Sequence, residues 1–453
     1  MLQALQINLV RFINKGHERT VKAKKNIVKS VFLKGGSLAI SLILMPLTIN
    51  YVNPTQYGIW LTLSSVIAWA AFFDIGMGNG LKNKLAAAIA LGDMSRARSY
   101  VTTTYFMLVV ISVFMFVAFF FVNPLINWPR ILNIQPGAYP NIARLVFMVF
   151  SFFCCQFVIQ LINTVLMANQ EPAKCAVLNI IGQLLMLGAI VVLIKFKQGS
   201  LADLIIVMTG APVLVMAIGS AWYYKGSYRN IAPQLSALNF KYAKDLLLTG
   251  SAFFFIQIGA LVLYETDNIV ITQLFGPSEV TTFNAAFKLF SVILLFFLII
   301  ITPFWSAFTE AFVKDDLEWI KASLLNIKKI WMVLSAGTIL LLIVSPWIYK
   351  AWLGKSVSVP FSLSVSMCIY TIASIWQTIH VHLLNGVGKV KLQLYLVSGS
   401  AIVNIPLAIL LGKTFGLAGV TMANTILFIV MGGIFWLQGD KIINKTATGI
   451  FNA

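Results

Sequence analysis

Charge is scarce in this sequence. Of its 453 residues only 10% are Asp, Glu, Lys or Arg, against 59% hydrophobic, and the mean hydropathy is +0.89. A soluble domain must put mostly water-compatible surface outside, so this composition excludes one. In a bilayer the demand reverses: the exterior is apolar and every backbone polar group must be satisfied within the protein. Alternating polar and apolar residues are also lacking, which excludes a β-barrel and leaves α-helices. No G-x-x-x-x-G-K-[ST] phosphate loop occurs, so nothing supports direct use of ATP. Cysteines are few. Cys154, Cys155, Cys175 and Cys368 have neither metal-ligand nor disulfide-framework spacing, and read as small apolar filler. No cleavable signal peptide is recognisable, because the first apolar stretch continues at spanning length without an A-x-A-like site.

What is present is a series of apolar runs about 20 residues long. Twelve are predicted: 31–52, 57–77, 100–122, 142–167, 176–194 and 201–224, then 246–274, 281–303, 328–349, 360–384, 392–412 and 416–437. The segments between them test this map. Of the 33 Lys and Arg, 24 fall on the side shared with the N-terminus (counting Lys328 and Lys329 at the start of the span 328–349), six on the other and three within spans. By the positive-inside rule both termini are then cytoplasmic and the number of spans is even. The formal charge of +19 thereby marks one membrane face, where anionic lipids are the expected partners. Nucleic acid is not, since no basic soluble surface remains to bind it. Leu2, Leu5, Leu9, Phe12 and Ile13 have helical spacing and predict a short interfacial helix.

The expected organisation is a basic N-terminal segment 1–30, a six-helix bundle 31–224, a linker 225–245, a second six-helix bundle 246–437 and a tail 438–453. The two bundles carry a weak internal repeat. Tyr51-Val52-Asn53-Pro54-Thr55-Gln56-Tyr57 corresponds to Leu274-Phe275-Gly276-Pro277-Ser278-Glu279-Val280, and Lys174 to Lys391. Six spans per half is an even number, so the repeats are parallel about an axis normal to the membrane. The expected fold is an all-α membrane protein with two bundles around a central cavity, an arrangement suited to alternating access.

Polar residues at depth are the candidates for function, each weighed against an ordinary helix–helix hydrogen bond. Gln156, Gln160 and Asn163 share one face of span four. The repeat offset sets Gln160 on Gln377 and Asn163 on His380, so a cavity lined from both halves accounts for both stripes. Asp267 and Lys288 lie at similar depth on adjacent spans, roughly 9 Å from the outer interface at 1.5 Å per residue, and an ion pair between them is predicted. Glu265, two residues away, is expected on another face, with ion coupling and a purely structural ion network as the two readings. Arg144 and Lys34 sit near opposite ends of their spans, where lining a path and snorkelling to headgroups are both open. Asp74 and Asn79 lie in an inner loop and surface helix, with gating and plain solvation as the two readings. No catalytic or metal-binding set is found.

The run from Tyr57-Gly58-Ile59-Trp60 through Phe73-Asp74-Ile75-Gly76-Met77-Gly78-Asn79-Gly80-Leu81-Lys82-Asn83-Lys84 to Gly92-Asp93 resembles Wzx-type O-antigen flippases. So does Tyr264-Glu265-Thr266-Asp267-Asn268-Ile269-Val270-Ile271 followed by Phe275-Gly276-Pro277. These flippases form the polysaccharide transporter branch of the multidrug/oligosaccharidyl-lipid/polysaccharide (MOP) exporter superfamily. The resemblance implies a MATE-like fold and a bacterial inner-membrane transporter without enzymatic activity. Its cargo would be an undecaprenyl-diphosphate-linked glycan moved to the periplasmic leaflet. It also implies cationic lining residues, for which Lys288, Arg144 and Lys34 are the candidates, and polysaccharide polymerase and chain-length machinery as further partners. With no cofactor expected, energy would come from a proton or sodium gradient, with Glu265, Asp267 and His380 as carriers. Two rivals stand beside this reading. One is a small-molecule exporter of the same fold. The other is a membrane glycan polymerase or ligase, which the longest outer loop, 123–141, poorly suits because it lacks acids and histidine.

Overall fold

A computed structural model describes residues 18–69, 74 and 76–452, without the side chains of 18–31, 248–264 and 306. The expected interfacial helix at residues 2–13 lies outside the described residues. Among the described residues fifteen α-helices follow in order. The first seven are α1 (Glu18–Val52), α2 (Pro54–Ala68), α3 (Met77–Ala90), α4 (Met94–Val122), the short α5 (Trp128–Ile131), α6 (Ile142–Ile159) and α7 (Leu161–Ala168). Then come α8 (Pro172–Phe196), α9 (Leu201–Lys225), α10 (Lys241–Phe275), α11 (Pro277–Val313), α12 (Leu317–Leu353), α13 (Phe361–Val387), α14 (Lys391–Phe415) and α15 (Leu417–Ile443). No strand occurs among the described residues.

Ten membrane-length apolar helical segments are found among the described residues, and each overlaps a predicted span. The other two predicted spans, 57–77 and 246–274, fall on α2 and α10. Part of each lies on residues or side chains outside the description. Large apolar side chains cover the outside of the helices: Phe114, Phe121, Trp222, Val333 and Ile402 are all two-thirds exposed or more. In water that surface would aggregate; in lipid it is the solvent-facing surface.

The described chain divides into two compact units. Among the described residues, the first comprises 18–47, 74, 76–124 and 145–252, and the second 48–69, 125–144 and 253–452. Thus α2 and the loop containing α5, which the sequence boundaries assign to the first bundle, group with the helices of the second. The reason for α2 is local. It packs along α11, and Gly58 lies so close that a Cβ there would stand 1.6 Å from the Pro277 carbonyl oxygen. Only glycine permits that backbone approach. The α5 loop is pinned by Asn133, whose Nδ2 donates to the Thr272 carbonyl at 3.0 Å.

The first repeat match is visible in how these helices start. α2 and α11 each begin with proline, one residue after the preceding helix ends. The intervening Asn53 and Gly276 both take positive φ, 132° and 92°. Proline suits the first helical turn because its missing N–H has no partner there anyway.

Within the first unit, α8 packs on α9, and α3 on α4 and α7. Stacked phenylalanines join α4 to α6, with Phe119 4.1 Å from Phe150 between centroids. At one end Lys84 of α3 pairs with Asp245 of α10 at 2.7 Å. The Tyr100 hydroxyl donates to the same carboxylate at 2.8 Å, and the Arg96 guanidinium donates to Tyr100. The Lys84 ammonium, followed by Tyr100, holds the Asp245 carboxyl below its ordinary range. Within the second unit α13 and α15 are the most buried spans, packed on each other and on α11, α12 and α14. Phe297, Phe308, Phe428 and Phe435 fill the space between them.

Candidate functional site

The second unit contains a cavity of about 420 Å³. α2 contributes Ser64 and Ser65, α10 contributes Glu265, Asp267 and Asn268, and α11 contributes Asn284. Apolar walls come from Leu61, Phe283, Phe287 and Met367, while α15 adds Thr421 and Asn424. Two carboxylates from one helix therefore share a single chamber within a lipid-clad bundle. The expectation that Glu265 faces away from Asp267 is corrected by this lining.

Each carboxylate ends a chain of neutral hydrogen-bond donors. Ser65 Oγ donates to Glu265 Oε2 at 2.8 Å. Asn268 Nδ2 donates to Ser65 Oγ at 2.9 Å, and Asn284 Nδ2 donates to Asn268 Oδ1 at 2.7 Å. On the other side Asn404 Nδ2 of α14 donates to Asn424 Oδ1 at 2.6 Å, and Asn424 Nδ2 donates to Asp267 Oδ2 at 2.7 Å. Asn404, Asn424 and Asp267 are all buried. Asp267 Oδ1 and Thr421 Oγ1 have no partner among the described residues. A carboxylate held by one carboxamide, with an oxygen left over, is chemically able to accept a proton or a cation. No group of three or more His, Cys, Asp and Glu suited to a metal ion exists among the described residues. Two carboxylates with hydroxyl and amide oxygens suit a hard monovalent cation or a proton better than a transition metal.

The predicted Asp267–Lys288 ion pair does not form. Asp267 Oδ2 is engaged by Asn424, and Lys288 makes no ion pair among the described residues. Depth along a helix was predictable, but azimuth was not. α11 turns Asn284 and Phe287 to the cavity, and Lys288 sits one residue, roughly 100° of helix, beyond Phe287.

His380 does not join the carboxylates either. α13 lends Met367 and Tyr370 to their cavity, and His380 lies ten residues beyond Tyr370, roughly 15 Å at 1.5 Å per residue. It lines a separate cavity and stands edge-on to Trp376. Gln377, one turn before it on α13, is half-buried. Gln156 and Asn163 belong to the first unit, and Gln156 Oε1 and Asn163 Oδ1 are buried without a partner among the described residues. Gln160 is exposed at the break between α6 and α7, where Asn163 N donates to the Gln160 carbonyl three residues back. The span predicted as one continuous helix therefore tightens within its polar stripe.

Arg144 and Lys34 are exposed. Asp74 is half-buried rather than plainly solvated. Its carboxylate accepts from the backbone N–H of Gly76 at 2.8 Å and of Gly78 at 3.3 Å, tying down the start of α3. Asn79 is half-buried in the first turn of that helix.

Ser65, Asn284, Asn404, Thr421 and Asn424 were not among the sequence candidates. Asn404 and Asn424 carried a usable signal, a carboxamide in the middle of an apolar run, the same signal that singled out span four.

Comparisons with known proteins agree with this architecture. Residues 23–307 match the model of a family described as polysaccharide biosynthesis protein. A protein of Salmonella typhi described as "Putative O-antigen transporter" is 20% identical, covering 88% of this chain and 90% of the relative. A "Putative O-antigen export protein" of Yersinia pseudotuberculosis is 21% identical over 78% of this chain and 81% of its own length. Among solved structures, an inward-facing MATE family multidrug resistance transporter of the MOP superfamily superposes with a TM-score of 0.76 at 14% identity. It covers 90% of this chain and 95% of that one. This chain belongs to the polysaccharide biosynthesis protein family and has a MATE-like fold.

Proposed function

We propose that this protein is a flippase that carries undecaprenyl-diphosphate-linked oligosaccharide from the cytoplasmic to the periplasmic leaflet of a bacterial inner membrane. The supporting observation is the near full-length match to the Salmonella typhi relative. The Lys and Arg asymmetry supports cytoplasmic termini. Deleting the gene in its host tests this reading. Complete repeat units should accumulate on the cytoplasmic face, as sampled in inverted and right-side-out vesicles, and the intact gene should restore export. Units that reach the periplasmic leaflet but stay unpolymerised would overturn the flippase in favour of an enzyme. Normal glycan on both faces, in a host with no second such gene, would favour a small-molecule exporter.

Transport is driven by a proton or sodium ion taken up at Glu265 and Asp267. This reading is supported by two carboxylates in one membrane-embedded cavity, neither paired with a cation among the described residues. Glu265→Gln should abolish the gradient dependence of translocation while the protein still inserts. Imposing a sodium gradient and a pH gradient separately on proteoliposomes identifies the ion. Unchanged gradient dependence in both Glu265→Gln and Asp267→Asn would remove these residues from the coupling step.

A further inference from the structure

A second cavity of about 340 Å³ lies in the same unit, at the end of α12, α13 and α15 that carries Lys321, Lys328, Lys389 and Lys441. Its walls include Lys321, Lys328, His380, Trp436 and Asp440. Three features suggest an occupant. First, His380 is only 2% exposed, yet it lines the cavity with Nε2 unpartnered among the described residues. A buried ring nitrogen without a partner is costly and calls for a ligand atom. Second, two ammonium groups share the space. Lys321 is partly offset by Glu318 at 3.1 Å, whereas Lys328 makes no ion pair among the described residues. Third, the cavity borders lipid-facing surface. Leu325 lines it while 60% exposed and Trp436 while 44% exposed, and Met332 and Val333 continue the apolar face along α12. Lysines with a tryptophan at the edge of an apolar face are the usual signature of the headgroup layer.

We propose that this cavity binds the phosphodiester head of a membrane phospholipid. Lys328 and His380 Nε2 meet the phosphate oxygens, Lys321 stands behind them, and the acyl chains run down the exposed face of α12 beside Trp436. Asp440 on the same wall sets the charge of the ligand. It repels a diphosphate carrying two or more negative charges but tolerates a single one, and it can accept from a hydroxyl or ammonium beyond the phosphate. The site therefore selects bulk phospholipid over a diphosphate carrier lipid. It lies on the opposite stretch of α13 from the carboxylate cavity and does not depend on the transport reading.

The test is native mass spectrometry of the detergent-purified full chain with dioleoylphosphatidylglycerol, undecaprenyl diphosphate or inorganic phosphate as probes. The expected result is one retained phosphatidylglycerol, preferred to undecaprenyl diphosphate, with affinity about tenfold weaker in Lys328→Gln and His380→Gln, the usual effect of losing one charge-assisted hydrogen bond. Lys328→Arg should restore binding, which separates a ligand contact from a folding defect, and Glu265→Gln should leave it unchanged. Three results overturn the proposal. These are lipid retention equal in wild type and both variants, preference for undecaprenyl diphosphate, and binding of inorganic phosphate with the same variant sensitivity but no lipid.

Discussion

Two carboxylates, one in each unit, show what a cation partner does to an acid in this protein. Asp245, at the Lys-rich end of the first unit, has Lys84 at 2.7 Å and the Tyr100 hydroxyl at 2.8 Å. Its charge is met twice, so it serves as a clamp between α3, α4 and α10. Asp267, inside the second unit, has a single amide donor, an unpartnered oxygen and no ion pair among the described residues. The first arrangement is complete without any visitor. The second leaves one carboxylate oxygen unmet among the described residues.

The largest expected difference comes from neutralising both acids in turn. Asp267→Asn should lower translocation by more than about tenfold while leaving thermal stability in detergent unchanged or raised, because a buried unpaired charge costs folding free energy. Asp245→Asn should leave translocation within about twofold. Equal losses of transport in the two variants would break the comparison. Next in size is Asn424→Ala, which removes the donor from Asp267. Thermal melting should show a loss of about 1–3 kcal/mol, and Asp267→Asn in the same chain should recover part of it. A strictly additive double variant would mean that the 2.7 Å contact carries no coupling.

The smallest effect is that of pH on the clamp. The Asp245 carboxyl is held below its ordinary value, foremost by Lys84. Its contribution is therefore fully present above the unfolded carboxyl value and is lost as pH falls through the depressed folded one. Because the pair is about a third exposed, the stability difference between wild type and Asp245→Asn at neutral pH should stay under about 1 kcal/mol. It should vanish in acid, where melting curves of the two proteins converge. A gap that widens in acid would show that another group carries the clamp.

Much of the helix pattern was legible because hydrophobic length and Lys/Arg placement are one-dimensional quantities. The starts of α2 and α11 were legible too, since Asn53-Pro54 and Gly276-Pro277 announce a break followed by a helix. Glu265 and Asp267 were found because acids within an apolar run are costly wherever they point. The partner of Asp267 was missed because rise per residue sets depth alone, whereas the azimuths of α11 and α15 are set by packing. Asn424 came from a helix more than 150 residues away in sequence. The membership of α2 in the second unit was equally hidden. It follows from the backbone contact at Gly58, which no periodicity reports.

The amide arm behind Asp267 has a consequence for traffic. A carboxamide neither releases nor accepts protons near neutral pH, so Asn404 and Asn424 act as an insulator rather than a wire. They fix the position of the acid without offering a way out behind it. On the proposed ion-coupled reading, exchange at Asp267 therefore runs through the cavity that the acid lines and not through the amide arm behind it.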